Sequence, residues 1–119
     1  MSLFGKIFRK KEIELEPCDL SILGTDVHSH LIPGIDDGAK NMDDSLILIR
    51  ALVELGYKKI ITTPHVMCDY YRNTPEIILG GLSELQKKIK EENIEVEISA
   101  AAEYNLDADF EPKISNNEL

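Results

Sequence analysis

Short apolar runs alternate with longer amphipathic stretches along this chain, and each short run stops close to a residue able to bind a metal. Thr25 to His28 reads as a short, buried first strand. Lys59 to Thr63, rich in β-branched side chains, reads as a second, and Val96 to Ala102 as a third. Between the first two, Asn41 offers an N-cap, and Asp43 and Asp44 place acid in the first helical turn, where the helix dipole favours anions. Leu46, Ile47, Leu48, Ile49, Leu52, Val53 and Leu55 make this helix apolar around much of its girth, and Gly56 suits the left-handed residue that ends it. Thr74-Pro75-Glu76 announces a second helix, with Ile77, Ile78, Leu82, Leu85 and Ile89 as its apolar stripe. Gly80 and Gly81 weaken it by roughly 1 kcal/mol each relative to alanine. Asp107 to Leu119 carries no clear pattern. The predicted order is β-α-β-α-β, an α/β arrangement whose connections suit parallel strands and right-handed crossovers.

Composition narrows the setting. The chain has 119 residues, enough for one small domain or part of a larger one. A formal charge of −9 argues against nonspecific nucleic-acid binding, because phosphate backbones attract basic surfaces. The charge is uneven: residues 1–11 hold Lys6, Arg9, Lys10 and Lys11 and no acid. Leu3, Phe4, Ile7 and Phe8 alternate with these bases at helical spacing, a pattern suited to weak contact with an anionic membrane surface. A frayed basic start or a small docking helix fits the same residues. Glu12 to Leu23 reads as an acidic connector in which Pro17 bars a continuous helix, so the organisation expected is a leading segment over 1–23 and a domain portion over 24–119. Two cysteines, Cys18 and Cys68, make no disulfide framework and fit a reducing cytoplasm, with the basic start as a peripheral contact at the inner membrane.

The chemistry lies at the strand ends. The chain has three histidines, and two of them, His28 and His30, stand two residues apart, so in an extended segment both imidazoles face the same side. The third, His65, follows the second strand, and Glu103 follows the third. In barrels of alternating strands and helices the active site sits on this C-terminal face. His28 and His30 with Glu103 form one candidate ion site, and His65 with Glu103 as a shared bridge forms a second. Asp37 adds a carboxylate from a loop bent by Gly34 and Gly38. Imidazole and carboxylate without thiolate favour manganese, iron or zinc over magnesium alone. Clustered divalent ions acidify a bound water and clamp the oxygens of a phosphoryl group.

Each residue also has a plainer explanation. The histidines of 28 and 30 fit ordinary paired strand positions, His65 a turn after Pro64, Glu103 a salt bridge, and Asp36 and Asp37 turn formation. Cys68 and Arg72 suggest a cysteine phosphatase, but only three residues separate them, whereas the loop of that class needs five. A thiol nucleophile is therefore rejected. Arg72 remains a candidate phosphate clamp, or a solvated loop base.

Taken in order, Asp26-Val27-His28-Ser29-His30, Gly34-Ile35-Asp36-Asp37-Gly38-Ala39, Thr62-Thr63-Pro64-His65 and Ala101-Ala102-Glu103-Tyr104 resemble the polymerase-and-histidinol-phosphatase (PHP) superfamily. Within it they are most similar to the metal-dependent bacterial protein-tyrosine phosphatases of capsule and exopolysaccharide synthesis. The resemblance covers about residues 20 to 119. It implies the first half of a distorted (β/α) barrel, manganese as the usual metal, and His28, His30, Asp37, His65 and Glu103 as ligands. It also implies hydrolysis of phosphotyrosine on a bacterial tyrosine kinase that controls polysaccharide export. Family members are roughly twice this length, and their later His, Asp-x-His and arginine contributions have no counterpart before Leu119. A half barrel exposes strand edges and apolar faces, so slow turnover and self-association are expected of the chain alone. Two other readings stay open: a small-molecule phosphatase of the histidinol-phosphate type, and a non-catalytic remnant that binds metal or a partner.

Overall fold

A computed structural model describes Glu16 and residues 18–119. The basic amphipathic stretch 1–11, and residues 12–15 and 17 of the acidic connector, lie outside the described residues. The elements run β1 (Thr25–Asp26), α1 (Met42–Glu54), β2 (Lys59–Thr62), β3 (His65–Val66), α2 (Pro75–Glu91), β4 (Glu97–Ala100), β5 (Glu103–Tyr104) and α3 (Phe110–Ser115). This is a mixed α/β architecture with two parallel sheets, one ordered β1-β2-β4 and the other pairing β3 with β5. No described helix is long and apolar enough to cross a membrane.

Both long helices form for the local reasons their sequences give. The Asn41 side chain accepts the Asp44 N–H at 2.9 Å, and α1 closes with Gly56 at φ 101°, its N–H on the Val53 carbonyl and that of Tyr57 on Leu52. Leu46 and Ile49 are buried, while Ile47 and Leu48 face outward, so the burial is narrower than the apolar girth of α1 suggests. Helix α2 is continuous through both glycines. A Cβ at Gly81 would stand 2.4 Å from Ile32 Cγ2, so the missing side chain lets the helix approach the segment after His30; Gly80 faces open space. Ile78, Leu82, Leu85 and Ile89 on α2, together with Ile60, Ile98, Leu31, Ile32 and Ile49, make the core.

The strands depart from expectation in an instructive way. The first stops at Asp26, and Val27 and His28 are exposed where a buried strand was expected. The second and third each break and resume. Residues 59–62 pair with 97–100, and 65–66 pair with 103–104, at one constant register offset. Pro64 has no N–H to donate, and the Thr63 N–H turns to the Ser29 carbonyl at 2.6 Å, which interrupts the ladder and ties β2 to the segment carrying the histidines. Asp107 to Leu119, without pattern in the sequence, contains the short helix α3.

Thr62 fixes that same segment. Its fully buried hydroxyl accepts the Leu31 N–H at 2.9 Å and donates to the Ser29 carbonyl at 2.8 Å, gripping His30 from both sides in sequence. Thr62→Val keeps the shape and removes both bonds, leaving a buried N–H without its partner. The expected cost is about 1–3 kcal/mol, read as a lower urea midpoint at unchanged slope. An unchanged midpoint would remove the hydroxyl from the account of this anchor.

Candidate metal centre

Four stretches of chain deliver the candidate ligands: the segment leaving β1 brings His28 and His30, the following loop Asp37, the start of β3 His65, and the start of β5 Glu103. His65 and Glu103 are direct ladder partners, so their side chains share one face. Glu103 Oε2 lies 3.6 Å from His28 Nε2, 3.4 Å from His30 Nε2 and 3.2 Å from His65 Nδ1. Asp37 Oδ1 lies 3.4 Å from His65 Nε2. The ligand atoms form two groups, His28 with His30 and Glu103, and His30 with Asp37 and His65, each within a mutual spread of 4.8 Å. His30 thus belongs to both, where the sequence suggested Glu103 as the only shared residue.

Chemistry at the centre of the cluster fits a cation. Glu103 Oε2 and His65 Nδ1 are buried and hydrogen-bond to nothing, although they stand 3.2 Å apart. Buried polar atoms are normally satisfied, so a carboxylate oxygen among three imidazoles and bonded to none calls for another partner. Ligands about 2.0–2.2 Å from a shared ion stand about 3.0–3.5 Å from one another, close to the spacing seen around Glu103 Oε2. Asp26 Oδ2 and Ser29 Oγ are the other such atoms among the described side chains.

Asp36 organises this cluster without belonging to either group. Its side chain is 1% exposed; Oδ2 accepts from His30 Nδ1 at 2.8 Å and from the His65 N–H at 3.0 Å, while Oδ1 accepts the Gly38 N–H at 3.0 Å. Burial pushes its carboxyl up, but the bonds from His30, Gly38 and His65 and the attraction of His30 outweigh that and hold it below the ordinary carboxylate range. With Nδ1–H committed to Asp36, His30 presents Nε2 toward Glu103. The sequence suggested a turn former here. The available signal was the Asp36-Asp37 pair itself: adjacent side chains on a bent loop diverge, so one can face an ion while the other turns inward. Tyr71 adds a ring stacked on His65, with centroids 5.6 Å apart and planes 12° from parallel.

Arg72 is not among the grouped ligands. It is exposed, its Nε–H donates to the Cys68 carbonyl at 2.6 Å, and it lines an open cleft of about 1270 Å³ with Tyr104 and Phe110, a cleft that His28, His30, His65 and Glu103 do not line. The Cys68–Arg72 contact is therefore a guanidinium-to-main-chain bond within the loop and does not involve the thiol. Burial raises the Cys68 thiol, helped by its hydrogen bond to Asp107 and by the charges of Asp107, Asp69 and Asp109, and a raised thiol is a poor nucleophile at neutral pH.

In this α/β fold, parallel strands and the segment after β1 bring imidazoles and carboxylates to a shared point, two groups whose spacing could hold a metal ion. The chain belongs to the family described as "Capsular polysaccharide synthesis, CpsB/CapC", which it matches over residues 24–119. It is 31% identical over 94 residues to "Tyrosine-protein phosphatase YwqE" of Bacillus subtilis, covering 79% of this chain and 37% of that protein. It is 29% identical over 85 residues to "Tyrosine-protein phosphatase CpsB" of Streptococcus pneumoniae, covering 70% and 35%. A solved structure described as "Crystal structures of YwqE from Bacillus subtilis and CpsB from Streptococcus pneumoniae, unique metal-dependent tyrosine phosphatases" superposes with a TM-score of 0.72 at 30% identity, over 80% of this chain and 38% of that one. The chain thus spans under two fifths of the length of these relatives.

Proposed function

We propose that this chain supplies the N-terminal portion of a metal-dependent protein-tyrosine phosphatase, with residues 24–119 forming the first part of a distorted PHP-type barrel. The observation that carries the reading is Glu103 Oε2, buried and without a hydrogen bond, at the meeting point of three imidazoles. In this reading His28, His30 and Glu103 hold one ion and His30, Asp37 and His65 a second; the ligand chemistry suits manganese, iron or zinc, and the family resemblance puts manganese first. When bound, such ions acidify water and neutralise charge on a phosphoryl group.

The chain's own residues then have separate tasks. Asp36 keeps the His30 proton on Nδ1 and aims Nε2 at the ligand cluster. Arg72, with Nε engaged by Cys68, has its terminal guanidinium nitrogens to orient a phosphate entering from the adjoining cleft. The substrate proposed is phosphotyrosine on a protein, such as a tyrosine kinase of capsule or exopolysaccharide synthesis in the cytoplasm, because the relatives bear tyrosine-phosphatase names. Apolar side chains left exposed, among them Val27, Ile47, Leu79 and Ile114, favour self-association of the 119 residues alone.

The test compares a phosphotyrosine peptide with histidinol phosphate, using this chain and a longer protein that carries it. Manganese-dependent turnover of the peptide, abolished by chelator and nearly unchanged in Cys68→Ser, is expected. Preference for histidinol phosphate would shift the reading to a small-molecule phosphatase. Activity lost in the serine variant with metal content intact would restore the thiol as nucleophile.

A further inference from the structure

We propose that Asn73 is a positioning residue of the metal centre: one side-chain amide that straps His65 to the loop carrying Asp36 and Asp37. Its Nδ2 donates one hydrogen to the His65 carbonyl at 2.8 Å and the other to the Ile35 carbonyl at 3.0 Å. The two acceptors lie on ligand-bearing stretches far apart in sequence, and Ile35 immediately precedes Asp36. The inference rests on the metal reading of the cluster and adds to it a residue outside the ligand set.

The strap closes a ring of bonds around His65. Asp36 accepts the His65 N–H, and Asn73 donates to the His65 carbonyl and to that of Ile35, so the backbone of this histidine is tied to the 34–38 loop directly on one side and through Asn73 on the other. That fixes the separation of His65 Nε2 from Asp37 Oδ1, the pair that forms one edge of the second ligand group. Asn73 is itself well anchored. Its N–H donates to the Tyr71 carbonyl at 2.8 Å, the same oxygen that accepts the Met67 N–H, and the next residue, Thr74, is the N-cap of α2. Helix α2 packs on the core through Ile78 and Leu82, so the amide refers both ligand segments to a rigid element. Asparagine suits this place because its planar NH2 offers two donors in fixed directions and no charge that would compete for the ligands.

Loss of the strap leaves every ligand present but free to drift, and partners outside the ligand set typically contribute about 10–100-fold to metal affinity. Manganese titration of the metal-free chain by calorimetry, with thermal unfolding of the metal-free form alongside, reads the two effects apart. Asn73→Ala is expected to raise the Kd for manganese about 10–100-fold, while the metal-free form still unfolds cooperatively, at a melting temperature lowered only as far as the loss of two part-buried hydrogen bonds requires. Asn73→Asp keeps the shape, loses both donors and adds a negative charge that alone would tighten cation binding; a weaker Kd there too supports the strap. An unchanged Kd in the alanine variant, or a tighter one in the aspartate variant, overturns it. If the alanine variant does not fold, the aspartate variant decides by the same criterion. A parent chain that takes up no manganese would remove the metal reading and this inference together, whereas a parent and variants that bind alike would remove only the role of Asn73.

Discussion

Replacing His30 by alanine is expected to remove bound manganese from both ligand groups, while His28→Ala or His65→Ala should each weaken one. The difference follows from geometry: His30 belongs to both groups, whereas His28 and His65 each belong to one. His30 also carries the bond to Asp36, so its loss leaves a nearly unexposed carboxylate without its ring donor. The fall in affinity should exceed the roughly 10–100-fold typical of partners outside the ligand set. In a longer protein carrying this chain, phosphotyrosine hydrolysis should fall below detection in His30→Ala and His65→Ala. Elemental analysis after dialysis against manganese gives the first reading. Full metal content in the His30 variant would show that the imidazole shared by the two groups is no ligand at all.

Gly38→Ala is the second large effect, and it needs no change to any candidate ligand. A Cβ at Gly38 would fall 2.2 Å from the His30 carbonyl oxygen and 2.4 Å from His30 Cβ. These are atoms of the ligand residue's own backbone and stem, so nothing flexible can yield. The loop is also drawn tight there, with the Ala39 N–H on the His30 carbonyl at 3.1 Å and the Gly34 N–H on the Ala39 carbonyl at 2.8 Å. An added methyl must push either the loop that carries Asp36 and Asp37 or His30 itself. Overpacking costs about 1–3 kcal/mol, and a shift of about 1 Å at a reacting centre costs on the order of a hundredfold in rate. The expected outcome is a lower melting temperature together with a manganese affinity reduced at least about tenfold. A variant that melts and binds manganese like the parent would show that the contact between Gly38 and His30 does not constrain the loop.

Much of this was legible in the chain. The two long helices follow from local chemistry: Asn41 and Thr74 cap them, Gly56 ends the first, and the spacing of Ile78, Leu82, Leu85 and Ile89 buries one face of the second. The placement of His28, His30, His65 and Glu103 after apolar runs pointed to a cluster, because residues that follow neighbouring parallel strands emerge at the same edge of the sheet. Other features needed the third dimension. The sequence shows Pro64 but not that the ladder resumes after it at the same offset, which is what sets His65 opposite Glu103. It shows two adjacent aspartates but not that Asp36 turns inward to accept three bonds while Asp37 stays outside. It shows a glycine at 81 that weakens a helix but not the Ile32 side chain that occupies the space. Caps, stripes and strand ends depend on neighbours within a few residues, so the sequence alone determined them. Cross-strand register, the meeting of the Asp36 carboxylate with the His65 N–H and the close approach of a helix to a distant segment depend on residues about thirty or more positions apart, and only the tertiary structure decided which of those met.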